Sequence, residues 1–537
     1  MSNKLHKIKD GGQSAGLEIT GQLIEYLLAV VAAVVCIAVP LYARDGYDQI
    51  GNAKFEIYRN ILRLGFIPLL MLAVLYGVFW FLRKKKWSLS ITDGFVLAYL
   101  LATVLAAVLG GFYEDALWGA FGWNMGLFSQ VSFVLLYLFL SRFGKSYRPV
   151  LAVLCGVSIV VFLIGIAHRL GIDPIGFYRG LSDDQMAQFL STMGQATWYA
   201  SYLIVVLPVG IAVFLFTGEK IWKIVSGIYT VIGFCTLVTQ NSDSAYFALA
   251  GFMLVFFWIC VEKRESLRRF VFVCTLFFLS GKVMSFLMRI DPNPELKYDF
   301  LTNLVLNSAL TWVLLGICLA LYVMLWRRQD KTYPEEKMLR VRWVVLIGAG
   351  VVFAGIVGLI ILQTAGILPE KVSQGLSSVS YFTWNETWGN GRGRIWNFAA
   401  KVFREESFLH KLIGVGPDCL SSYAAAYHGE EMELYWGQKV LTNAHNEWLN
   451  ILINGGILGS LSYVGIFVTA VGRFLKTERR NILLTGIAAA VVSYMAYNFF
   501  CYQQVCCTPF IFMLMGIGEY LCREEKVTFH TSAKGDA

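Results

Sequence analysis

The line Leu441-Thr442-Asn443-Ala444-His445-Asn446-Glu447-Trp448-Leu449-Asn450 is where a long polar segment gives way to an apolar helix, and its reading decides the fold. Downstream, Asn443, Glu447, Asn450 and Asn454 are separated by 4, 3 and 4 residues, which at about 100° per residue puts them on one stripe of a helix. The rest of that helix is apolar enough for hydrocarbon, where polar groups are costly unless they face protein or water. The stripe is therefore expected to line a cavity or a helix contact, and Gly455, Gly456 and Gly459 would let a second helix approach closely. On an ideal helix His445 would lie about 160° from the stripe. It is therefore read as part of the preceding loop, which aims it.

Upstream, the chain's one long polar stretch runs from about Ile367 to His445 and holds three pieces that carry chemistry. Asn390-Gly391-Arg392-Gly393-Arg394-Ile395-Trp396 sets two guanidinium groups on a glycine-loosened turn. Ile395, Trp396, Ala399, Val402 and Phe403 then fall at helical spacing, which predicts a helix on the bilayer surface with its arginines at head-group height. Arginine's planar fork binds phosphate oxygens bidentately and stays charged near lipid. Ile413-Gly414-Val415-Gly416-Pro417-Asp418 is a turn signal. His445 stands at a helix start, where unpaired N–H groups and the helix dipole disfavour a charged imidazole, leaving a neutral ring able to accept a proton. The competing readings are structural: arginines that snorkel to lipid head groups, and a histidine that caps or packs.

The surroundings set the class. In 537 residues, 57% are hydrophobic and only 15% charged, against roughly half and a quarter in soluble globules. This is an all-α polytopic membrane protein. The net charge of +9 is spread through short clusters between apolar runs, which argues for membrane topology and against nucleic acid. Apolar runs of bilayer-spanning length number about fourteen, giving a layout of membrane helices over 1–363, a polar extracytoplasmic loop over 364–446, further membrane helices over 447–522, and a tail over 523–537. Lys4, Lys7 and Lys9 precede a retained first span, and the clusters Arg83 to Lys86, Lys263 to Arg269, Arg327 to Arg342 and Arg473 to Arg480 fall on the same side of the alternating spans. By the positive-inside rule both termini are cytoplasmic and the long loop is outside.

Cys36, Cys155, Cys235, Cys260, Cys274 and Cys318 lie in apolar runs and act as small hydrophobes, whereas Cys419, Cys501, Cys506 and Cys507 can meet on the outer side, where a disulfide among them could form. No Cys or His spacing reads as a zinc site, and no nucleotide-type glycine loop is present. No metal and no cofactor are expected. Lys282, within a span, is a functional candidate because intramembrane charge usually is.

The order of features resembles the O-antigen ligase and O-antigen polymerase family: a polytopic chain, a long outer loop with Arg392, Arg394 and Trp396, a Gly414-to-Pro417 turn, and His445-Asn446 leading into a Gly-Gly span. Gly194-Gln195-Ala196 and Trp118-Gly119 are weaker echoes. The resemblance implies a GT-C-like, metal-independent glycosyltransferase of the bacterial cytoplasmic membrane. It implies a glycan moved from an undecaprenyl-pyrophosphate carrier to an acceptor hydroxyl on a glycan, lipid or protein. It places donor pyrophosphate binding on Arg392 or Arg394 and acceptor activation on His445, with Asn446, Glu447, Asn450, Lys282 and Arg179 as supporting candidates. Two departures stand out: Asn450 replaces a frequent glutamine, and Ser242-Asp243-Ser244 fills a hairpin where many members carry an arginine. Arg63, Arg179, Lys282 and Arg289 are the cations that could substitute. The rival class is a transporter or flippase for lipid-linked oligosaccharides, which the number of spans also suits.

Overall fold

The computed structural model describes residues 2–83, 88–290, 293, 295–328, 332–377, 379–437, 439–476 and 481–535. Lys84 to Lys86, Lys331, Arg479 and Arg480, part of the basic clusters, lie outside them. Helix accounts for 79% of the described residues, and among them the sheet is one short antiparallel ribbon pairing Phe189–Leu190 with Gly194–Gln195. Among the described residues, eleven helical runs are long and apolar enough to cross a membrane. One of them, Leu127–Arg169, contains two expected spans joined by a tight 3-10 turn. The shorter helix Ile482–Tyr497 and the helix Thr508–Gly535 carry the last two. Every expected span thus falls on a helix, as a chain must when its backbone N–H and C=O groups have no water to bond.

The connections sort to two ends of the bundle, alternating along the chain. At one end Gly122 N donates to Asn52 Oδ1 (2.9 Å), Tyr47 Oη to Ser191 O (2.7 Å), Asn241 Nδ2 to Lys297 O (2.9 Å) and Glu447 N to Asn498 O (2.9 Å). At the other, Arg142 pairs with Asp93 (3.0 Å), Arg342 with Glu262 (3.1 Å) and Arg473 with Glu519 (2.9 Å). The polar segment folds onto the first end.

Two of the helix breaks bind other segments, each for a visible reason. Helix Glu447–Leu475 breaks at Gly456 (φ 64°, ψ −168°). The carbonyls of Ile453 and Asn454 are thereby freed and accept from Val415 N (3.1 Å) and Gly416 N (3.0 Å). A β-carbon at Gly414 (φ +87°) would stand 2.2 Å from Asn454 O, and one at Gly456 would stand 2.5 Å from Gly414 N. The glycine turn of the loop and the glycine kink of the helix therefore interlock backbone to backbone. The expected close approach at Gly455, Gly456 and Gly459 is made at Gly456 only, and by this turn; a β-carbon at Gly459 would meet nothing within 4 Å. The second break, at Ser308, separates Phe300–Asn307 from Ala309–Arg327, and Lys282 Nζ donates to the exposed carbonyls of Leu306 (3.0 Å) and Ser308 (2.9 Å).

The loop has a core of its own. Phe398, Ala399 and Val402, the apolar face of helix Trp388–Glu405, are buried with Val415, Cys419, Leu420 and Ala424. This corrects the expectation of a helix lying on the bilayer surface: its apolar face is spent on protein contacts. All eleven cysteines are free, Cys419, Cys501, Cys506 and Cys507 being buried. Helix Glu335–Thr364 stands at the margin with none of its apolar stretch buried. It is tied at one end by the Trp258–Trp343 ring contact (4.6 Å), near its middle by Phe247–Phe353 (6.2 Å), and at the other end by Trp384 N donating to Thr364 Oγ1 (2.8 Å).

Candidate active site

A cavity of about 1140 Å³ opens between the loop and the bundle. Its deeper wall is apolar, built from Phe247, Phe353, Ile356, Val357, Ile360 and Phe499; its upper wall carries Gln195, Asp243, Asp299, Tyr381, Trp388 and Arg392. An apolar compartment capped by a few polar groups is the general form of a ligand site.

Arg392 reaches this cavity because the chain turns sharply before it. Gly389, Asn390 and Gly391 all have left-handed φ (59°, 61° and 87°). At Gly393 a β-carbon would stand 1.9 Å from Asn385 O, so the turn needs glycine there. The Arg392 guanidinium donates through Nε (3.2 Å) and Nη2 (3.0 Å) to Phe500 O and through Nη1 to Gly389 O (2.7 Å). A guanidinium has five N–H groups, which leaves two without a described partner. Arg394 points elsewhere: it pairs with Glu386 (2.9 Å), donates to Tyr435 O (3.1 Å) and lies over the Tyr435 ring. It is not part of the cavity wall.

His445 sits in the loop with φ 47°, one residue before Asn446, whose side chain caps helix Glu447–Leu475 by accepting from Leu449 N (3.1 Å). Its backbone N–H donates to Asn443 Oδ1 (2.9 Å), and its ring meets the Tyr502 ring edge-on at 5.1 Å. Burial, with Arg392 nearby adding to it, pushes the imidazole down to about 4. Arg392 and His445 therefore lean on the same stretch, Phe500 to Tyr502, one on its carbonyl and the other on its ring.

That stretch carries no motif, and the sequence reading took up only its cysteine. Residues 501–507 are buried throughout. Gln503 N donates to Glu447 Oε2 (2.8 Å), Gln503 Nε2 to Tyr463 Oη (3.0 Å) and Trp198 Nε1 to Tyr502 Oη (3.2 Å). Two glutamines between spans were the available signal. The polar stripe is buried as expected, with Asn443, Glu447, Asn450 and Asn454 all below one-tenth exposed. Asn450 Oδ1 accepts from Ala444 N (3.3 Å) and Asn454 Oδ1 from Leu420 N (2.8 Å), so these two amides fix the loop that aims His445. Asp418 joins the Trp118-Gly119 segment to the loop: its carboxylate accepts from Ala120 N (2.8 Å) and Met125 N (3.0 Å), while burial pushes it up to about 7.

Of the other candidates, Lys282 is occupied in capping the broken helix, and Arg179 is exposed beside Gly176. Neither lines the cavity, nor do Arg63 and Arg289. Among the described residues its cations are Arg392 and Lys297, the latter overlooked in the sequence.

Compared with known proteins, residues 299–464 match the family model described as O-antigen ligase. The match takes in the broken helix, the loop with Arg392 and His445, and the glycine kink. No curated protein matches the chain. The chain is thus an all-helical bundle of membrane-length helices whose residues 299–464 are similar to the O-antigen ligase family.

Proposed function

We propose that the protein transfers a glycan from undecaprenyl pyrophosphate to an acceptor hydroxyl at the outer face of the cytoplasmic membrane, without a metal. The observation that carries this is Arg392, set on the wall of a deep apolar cavity with two N–H groups uncommitted, while His445, which is not among the lining residues, rests on the same stretch Phe500 to Tyr502. The apolar depth suits a polyprenyl chain, and the guanidinium suits the pyrophosphate at its head. His445 takes the proton of the acceptor hydroxyl as its oxygen attacks the anomeric carbon. The bond from that carbon to the diphosphate oxygen breaks, and the polyprenyl pyrophosphate leaves with the electron pair, its charge held by Arg392. Arg394, held by Glu386, keeps the loop in shape for Arg392. The acceptor is a glycan, a lipid or a protein.

A transporter reading finds less support, because the cavity's polar groups gather on its upper wall and the cavity is apolar at depth. The test is single-turnover transfer by the purified full-length protein with a defined lipid-linked donor. His445→Ala should lose about 10² to 10⁴ in rate and keep donor binding. Full activity of that variant removes His445 from the chemistry, and carrier movement without transfer by the unaltered protein favours the transporter.

A further inference from the structure

The upper wall of the cavity is unusual for a site that receives a pyrophosphate, because four of its side chains are acidic: Asp184, Asp243, Glu295 and Asp299, against Arg392 and Lys297. Two of these carboxylates are fixed by a zipper between the hairpin after helix Lys220–Thr239 and the segment before Phe300. Asp299 N donates to Asn241 Oδ1 (2.9 Å), Leu301 N to Asp243 Oδ1 (2.8 Å) and Asp243 N to Asp299 Oδ2 (3.3 Å). Tyr381 Oη donates to Asp243 Oδ2 (3.2 Å). Asp299 Oδ1 has no described partner. Trp384, Trp388 and Trp396 lie in the same wall, their ring centroids 4.9 to 5.7 Å apart.

Fixed hydrogen-bond acceptors beside broad aromatic faces match a sugar ring, which offers hydroxyl donors at its rim and C–H groups on its faces. They do not match a sugar acid. Its carboxylate would meet the fixed carboxylates of Asp243 and Asp299, with Asp184 and Glu295 exposed at the edge and Arg392 already committed to the diphosphate, and selection against a ligand is commonly built from such repulsion.

We propose that this wall is the donor-sugar subsite, with Asp299 as an acceptor for the sugar's hydroxyl or amino group, and that it takes neutral or amino sugars next to the pyrophosphate and rejects uronic acids. The inference rests on the lipid-linked donor reading above. It is tested by tryptophan fluorescence titration of the full-length protein in nanodiscs with two short-chain polyprenyl-pyrophosphate sugars, one carrying an N-acetylhexosamine and the other a hexuronic acid. The neutral donor should bind at least tenfold more tightly. Asp299→Asn keeps an acceptor oxygen and removes the charge, and should narrow the preference to within threefold; Asp184→Lys, at the cavity's edge, should narrow it independently. Equal binding of the two donors overturns the subsite while leaving the donor reading standing, as does a preference unchanged in both variants. Failure of folded protein to bind either donor removes the donor reading and the subsite together.

Discussion

His445 has a definite pH signature. Burial first, and Arg392 second, hold its imidazole at about 4 rather than the ordinary 6.5. The acid limb of transfer should therefore fall near pH 4, with little loss between pH 7 and 5; a limb centred near 6.5 would show a solvated imidazole. The folded state binds fewer protons here than the unfolded chain, so this group costs stability as pH drops from 6.5 toward 4. Glu406 works the other way. Its carboxyl is 3% exposed, both oxygens lack a partner, and burial pushes it up to about 8 despite Lys411. Its cost is absent below about pH 4.5 and grows as pH rises toward 8, so Glu406→Gln should raise the thermal midpoint at pH 8 by roughly 2 to 4 °C per kcal/mol relieved, and leave it unchanged at pH 4. Arg392 and Arg394 differ through geometry. Two positions apart on a helix are about 200° apart, so only one of them can face the cavity. Arg392→Lys keeps charge and loses the fork, and should weaken donor use by about 10- to 100-fold, a hydrogen bond to a charged group being worth roughly 1.5–3 kcal/mol. Arg394→Lys should cost less than threefold in donor binding. The reverse order would exchange their roles. The residue pattern held both arginines but not the choice between them, which depends on where the turn at Gly389 to Gly391 lets the helix begin.

At the level of elements, the interlock between the loop turn and the kinked helix should be intolerant in a selective way. Gly414→Ala places a β-carbon 2.2 Å from Asn454 O in a left-handed conformation, strain of order 1–3 kcal/mol before any clash. The loop should undock, become open to limited proteolysis and lose transfer, whereas Gly459→Ala should be silent. Comparable protease resistance of the Gly414 variant would show that the docking is dispensable. The polar stripe was legible because burial imposes a period on a helix. The break at Gly456 was not, since it depends on which backbone comes to meet it, and a glycine pair alone fits helix contact and helix kink equally. The surface-helix expectation failed for a related reason: an amphipathic face looks the same whether lipid or protein covers it.

At the level of the whole molecule, hydrophobic runs gave the spans almost complete, and alternation of the basic clusters agrees with the two ends into which the connections sort. What they left out is the segment from Phe500 to Cys507, buried although it links two spans, whose partners lie far away in the chain. Glu430 and Lys337 are exposed at opposite ends of the bundle. With the native cysteines buried or half-buried, Glu430→Cys should react with an impermeant thiol reagent on intact cells and Lys337→Cys only after permeabilisation; the opposite pattern would invert the topology. The dependence of Arg392 on Phe500 O, 108 residues downstream, also fixes an order of assembly. At about 5–20 residues per second, the ribosome delivers that carbonyl roughly 5 to 20 s after the arginine. Until the chain beyond Phe500 is in place, the loop can dock on the kinked helix, but Arg392 lacks the carbonyl and His445 the Tyr502 ring against which each is set.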